Sequence, residues 1–233
     1  GSRTTAIRIY VLLDAGRMQF LLDTIHVCIV MTLVSFFENA FRRSSFLMAL
    51  WMLSSFYSAS ATPDAFVSGL NGPHGLAITP SGGELYAVEW SGRRVWHVNL
   101  ATNAKTEIQT LNSGAHGCAL GNGVLFVAES NANRVTKVGL QSPYEYSTVV
   151  SGLSEPVSVV LNEAKSVMYI AERSSNRVRR VFLGADNTES SKEVAVSGIT
   201  SAEGLALSKD GSLLYVGQFA SSGSVWRVPL SAS

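Results

Sequence analysis

"MYIAERSSNRVRRVFL", residues 168–183, reads as a strand, a turn and a second strand. Apolar residues fill 168–171, Ser174-Ser175-Asn176 interrupt them, and Val178 and Val181 resume the apolar pattern. Short apolar runs bounded by Ser and Asn are a β signal. The same order recurs as "LYAVEW" (85–90) with "VWHVNL" (95–100), and as "LFVAES" (125–130) with "VTKVGL" (135–140). It recurs once more as "LYVGQF" (214–219) with "VWRVPL" (225–230). From Tyr86 to Phe126, Tyr169 and Tyr215 the steps are 40, 43 and 46 residues.

Each unit opens on a turn and an apolar strand: "SGLNGPHGLAI" (68–78), "SGAHGCAL" (113–120), "SGLSEPVSVVL" (151–161) and "SGITSAEGLAL" (197–207). Outer strands follow in the first three units: "TEIQTL" (106–111), "EYSTVV" (145–150) and "SKEVAV" (191–196). A period near 43 built from such strands predicts an all-β protein, a β-propeller of four-stranded antiparallel blades. No segment after residue 62 sustains a helical apolar period over ten positions, which excludes a helical repeat. The blades are expected at about 66–111, 112–150, 151–196 and 197–233. The fourth lacks an outer strand of its own. "DAFVSG" (64–69) matches one, so residues 64–70 are expected to pair with "VWRVPL" and close a four-bladed ring. The alternative is an arc of a larger propeller.

Residues 1–61 form a separate hydrophobic leader. Arg42 and Arg43, the apolar run "FLMALWML" (46–53) and Ala59-x-Ala61 have the order of a secretory signal, cleaved after Ala61. This predicts a secreted, extracellular or lumenal domain over 62–233. The alternative is an uncleaved anchor, the one route by which the chain meets a membrane. Residues 62–233 carry 13 Lys+Arg against 14 Asp+Glu, without the clustered basic excess of a nucleic-acid binder. After the leader only Cys118 remains, a residue placed like the apolar Leu76 of the first unit.

The blocks "GPHGLAITPSGGELYAVE", "VLFVAESNANRVTKV", "MYIAERSSNRVRRVFL" and "EGLALSKDGSLLYVGQF" resemble NHL repeats and the related SMP-30-like propellers, which include gluconolactonases and strictosidine-synthase-like proteins. The resemblance spans residues 64–233 and implies the architecture. Its members include sugar lactonases, lyases, synthases and protein-binding modules, so the activity has to be argued from the site. The acidic metal constellation of the lactonases has no residue-by-residue match here.

Two sets of residues invite chemistry. Glu89, Glu129 and Glu172 end second strands, each with an arginine five residues on: Arg94, Arg134 and Arg177. In the fourth unit Gln218 and Ser224 replace both charges together. Joint loss is what an ion pair across a hairpin produces, since one unpaired charge costs more than a neutral pair. These are expected to be structural ion pairs. The second set lies at the opening of the inner strands, where aligned positions hold His74, His116, Val157 and Glu203. Two imidazoles and a carboxylate on one rim match a divalent metal set, Zn or Ca. The alternative is polar side chains that bond strand-entry backbone or water.

No G-x-S-x-G, H-E-x-x-H or phosphate-binding glycine loop is present. His97 reads as a strand histidine, and Arg179, Arg180 and Arg227 as a solvated face. Two functions follow: a module that binds a small molecule, carbohydrate or protein on one propeller face, or a metal-dependent hydrolase or lyase at the channel mouth.

Overall fold

The computed structural model describes residues 65–230 throughout, and before them the backbone of three strands. Those strands, β1 (Arg8–Asp14), β2 (Arg17–Thr24) and β3 (Val27–Cys28), form an antiparallel sheet within a unit of their own. Residues 42–61, which carry the expected signal and its cleavage point, lie outside the described residues. Among those described, no helix is long and apolar enough to cross a membrane.

The second unit is a succession of antiparallel blades. Blade one is β4 (Pro73–Ile78), β5 (Glu84–Glu89), β6 (Arg94–Asn99) and β7 (Lys105–Thr110). Blade two is β8 (Ala115–Gly121), β9 (Val124–Glu129), β10 (Arg134–Gly139) and β11 (Tyr146–Val150). Blade three is β12 (Pro156–Leu161), β13 (Val167–Glu172), β14 (Arg177–Leu183) and β15 (Glu189–Ser197). Blade four has three strands, β16 (Ala202–Leu207), β17 (Leu213–Gln218) and β18 (Val225–Pro229).

Within blades the strands pair in sequence order, so every connection is short and local. Asn122 and Gly123, both at positive φ, make the two-residue turn between β8 and β9, where a right-twisted hairpin needs that backbone. Asn133 and Asn176 take the left-handed conformation just before Arg134 and Arg177. Asparagine tolerates it, and the chain reverses so that each arginine lies opposite its glutamate.

The second strands of blades two and three have a blade on each side, so they read as apolar runs rather than alternating ones. All six residues of β13 are buried. Phe126, Leu125, Met168 and Ile170 have no exposed surface, each contributing roughly 1.5–3 kcal/mol of apolar burial. Three clusters lie in the gaps between consecutive blades.

The inner strands β4, β8, β12 and β16 neighbour one another in that order, and β4 and β16 share no packed interface. The expected closure is therefore corrected. Among the described residues, 65–69 form no strand and β18 has no partner beyond β17, and Lys105 Nζ of blade one donates to the Ser68 carbonyl at 2.6 Å. Matching strand length and composition were not enough, because pairing with β18 needs the two end blades to meet. The four blades form an open arc.

Candidate functional site

The register of the inner strands slips at the same place in every blade. Pro73 pairs with Glu89 and Gly75 with Val88, which leaves His74 in a bulge. The slip between Ala115 and Cys118 holds His116 and Gly117. The slip between Pro156 and Ser158 holds Val157, and that between Ala202 and Leu205 holds Glu203 and Gly204. A bulge adds a residue to one strand and re-aims its side chain. The aligned positions found in the sequence are thus the bulge residues.

A second ring of residues follows the second strands: Trp90, Ser130, Arg173 and Phe219. Three of these amides donate to the residue two before the bulge: Trp90 to Gly72 O at 2.8 Å, Arg173 to Glu155 O at 3.1 Å, Phe219 to Ser201 O at 3.0 Å. So anchored, the side chain reaches the inner strand of the following blade. Trp90 meets His116, with centroids 4.4 Å apart and planes at 67°. Ser130 Oγ donates to Pro156 O at 2.5 Å. Arg173 reaches Glu203.

The two histidines converge. His74 and His116 stand edge to face with centroids 4.7 Å apart, and His74 lies 6.1 Å from Trp90. Burial, then the neighbouring His74 and Arg173, hold the His116 pKa below the ordinary histidine value, against the smaller opposing pull of Glu203 and Glu155. The shift favours the neutral imidazole.

Glu203 is engaged elsewhere. Arg173 Nε donates to its Oε2 at 2.8 Å and Nη2 to its Oε1 at 2.7 Å, while Nη1 donates to Glu155 Oε1 at 2.8 Å. Ser174 Oγ donates to the other Glu155 oxygen at 2.6 Å. Both Glu203 oxygens thus carry a guanidinium bond, and a cation there would face the Arg173 charge. The expected set of His74, His116 and Glu203 does not fit a divalent metal. Among the described residues, no group of three His, Cys, Asp or Glu is arranged to hold one.

The glutamate–arginine pairs form as their spacing predicts. Arg94 Nε donates to Glu89 Oε2 at 2.7 Å, Arg134 Nη2 to Glu129 at 3.3 Å, and Arg177 Nη2 to Glu172 Oε1 at 3.2 Å. The three carboxylates are fully buried. They also tie down loops: Glu89 Oε1 accepts from Asn71 N and Glu172 Oε1 from Ser154 N, both at 2.7 Å. In blade two the Tyr146 hydroxyl takes that place, donating to Glu129 Oε1 at 2.6 Å. Burial pushes the Glu89 carboxyl up, but hydrogen bonds from Arg94 and Asn71 and the Arg94 charge outweigh it, so its pKa lies below the ordinary value.

Arg179 and Arg180 are not the solvated face expected of them. Arg179 Nε donates to the buried Glu172 at 2.9 Å, and Arg180 pairs with Glu193. His97 bonds Glu84, in keeping with a satisfied strand histidine. Cys118 packs on the core between blades one and two, and burial pushes its thiol up to about 12. Trp90, Arg173, Glu155 and Phe219 were missed in the sequence. The available signal was the aligned quartet Glu-Trp, Glu-Ser, Glu-Arg and Gln-Phe ending the second strands.

No family model and no curated protein matches the chain. Among solved structures it is similar to a gluconolactonase from Xanthomonas campestris, at 16% identity and TM-score 0.61 over 72% of this chain and 61% of that one. It is similar to Kuenenia stuttgartiensis hydrazine synthase at 18% identity and TM-score 0.60, over 73% of this chain and 49% of that one. The PQQ-bound aldose sugar dehydrogenase from Streptomyces coelicolor aligns at 16% identity and TM-score 0.58, over 73% of this chain and 64% of that one. The chain thus spans about half to two thirds of the length of these proteins. Its fold is the β-propeller fold they share, as the repeat resemblance implies.

Proposed function

We propose that the propeller is a binding module that takes a small polyhydroxylated ligand, a carbohydrate, at the mouth where the bulges open. The observation that carries this reading is the joint placement of an aromatic cluster and a fixed polar clamp. Trp90, His74 and His116 offer ring faces, and the two imidazoles add ring nitrogens that hydrogen-bond. Arg173, held by Glu155 and Glu203, presents an oriented array of hydrogen-bonding groups within the electrostatic field of His116. Sugars are recognised by such a pairing, C–H faces on aromatic rings and hydroxyls on planar polar groups. Two of the similar structures carry sugar chemistry in their names, which supports the ligand class.

Calorimetric titration with a panel of monosaccharides, oligosaccharides and sugar lactones tests the reading. One class should bind, and Trp90→Ala and Arg173→Ala should each weaken it about tenfold or more. Absence of binding across the panel, with folded protein, would remove it.

The second reading is lactone opening without a protein-bound metal. The neutral His116 beside His74 favours it, because an unprotonated imidazole is able to accept the proton of an attacking water. Turnover of sugar lactones, lost in His116→Ala, would select it over simple binding. The targeting reading is secretion, supported by the order Arg42-Arg43, 46–53, Ala59-x-Ala61. Protein recovered from the medium of expressing cells should begin at Thr62. Full-length chain in the membrane fraction would favour the anchor.

A further inference from the structure

The chain makes the interface between consecutive blades three times, by one recipe. Cys118 and Leu120 of β8 pack on the cluster holding Tyr86 and Val88. Val159 and Leu161 of β12 pack with Phe126 and Ala128, and Leu205 and Leu207 of β16 with Tyr169 and Ala171. Beside these contacts, in the first two interfaces, a bulge carbonyl presses on the glycine of the preceding blade. A Cβ on Gly75 would lie 2.6 Å from His116 O, and one on Gly117 would lie 2.8 Å from Val157 O. Each blade therefore offers a second-strand face forward and an apolar inner-strand pair backward, and blades one, two and four add a glycine notch where blade three has Ser158.

At the two ends of the arc each half is bare. Leu76 and Ile78, the backward pair of blade one, are 61% and 56% exposed. On the forward face of blade four Tyr215, Val225 and Phe219 are all exposed, and a Cβ on Gly204 would meet nothing within 4 Å. Contiguous apolar surface of this kind marks an interaction site.

We propose that the occupant of both faces is a second copy of this chain, docked head to tail. Leu76 and Ile78 of one copy pack on Tyr215 and Val225 of the next, and the His74 carbonyl seats over Gly204; Val225 pairs with Gly217 and so shares the face of Tyr215. The interface continues one the molecule already builds, and one sequence supplies both of its complementary halves. A two-fold contact would set like against like, Leu76 edge on Leu76 edge, a pairing the fold never makes. Phe219 is the counterpart of Trp90, so docking brings Phe219 of one copy against His74 of the other and completes the aromatic ring of the mouth. The proposal stands on blade packing and is independent of the carbohydrate reading.

Sedimentation velocity of the full chain across micromolar concentrations tests it, and association should grow with concentration. Leu76→Glu with Ile78→Glu should abolish association, as should Gly204→Ala with Val225→Glu, while circular dichroism and melting stay those of the parent. Neither double variant associates alone, yet mixing them should restore a one-to-one complex, because each keeps the half the other lacks. Gly204→Ala alone should weaken association about tenfold, by setting a methyl against the incoming carbonyl. A protein monomeric at every concentration overturns the proposal, whether its end faces stay bare or are covered by other segments of the same polypeptide. Association that survives both double variants, or that mixing fails to restore, overturns it as well.

Discussion

Arg173 holds Glu203 through two parallel hydrogen bonds, Nε to Oε2 at 2.8 Å and Nη2 to Oε1 at 2.7 Å. Bidentate guanidinium–carboxylate pairs are strong and directional, and this one spans blades three and four. It removes the one carboxylate that aligned with the two histidines, and turns a three-ligand rim into an aromatic pair beside an ionic clamp.

That pairing decides the metal question experimentally. Zn²⁺ titration followed by calorimetry should give the same isotherm for the parent and for Glu203→Gln, since the carboxylate is already committed. Stoichiometric binding in the parent that Glu203→Gln loses would reinstate the three-residue site.

The His116 pKa is the second test. A histidine whose folded pKa is depressed contributes stability that is present above its unfolded pKa, near 6.5, and is lost as pH falls through the depressed folded value. Imidazole NMR signals of His116 should therefore titrate below pH 6.5. His74→Ala should move the midpoint upward by removing the electrostatic opposition of the neighbouring imidazole. An unchanged midpoint would mean that the two rings do not share a field.

Breaking one buried ion pair should cost more than deleting it. Glu129→Gln leaves Arg134 without its anion and should destabilise the fold by about 2–3 kcal/mol, at or just below the low end for a buried pair because the arginine reaches solvent. Adding Arg134→Ser installs the pair that blade four carries as Gln218 and Ser224. The double variant should lose less than the sum of the two singles in urea unfolding. Strict additivity would count against a coupled pair.

The histidine-following glycines should differ from their counterpart in blade four. Gly75→Ala and Gly117→Ala drive a methyl into backbone of the next blade and should each cost about 1–3 kcal/mol. Gly204→Ala faces open space and should leave thermal stability unchanged. Equal losses at all three would mean that these glycines serve their own strands and not the neighbouring blade.

What the amino-acid sequence determined by itself is everything that depends on neighbours along the chain. Strand, turn and strand recur because Tyr86, Phe126, Tyr169 and Tyr215 sit in equivalent apolar runs punctuated by Ser, Asn and Gly. The pairs Glu89–Arg94, Glu129–Arg134 and Glu172–Arg177 were legible because a hairpin brings residues five apart face to face. The bulges were not legible, since a register slip leaves no mark on the composition of either strand. Trp90 on His116 and Arg173 on Glu203 join residues 26 and 30 positions apart in different blades. Arg179 reaches Glu172 only because β13 and β14 lie side by side in blade three. Only the tertiary structure decided these contacts and the open ends of the arc, because they depend on how one packed sheet is rotated against the next.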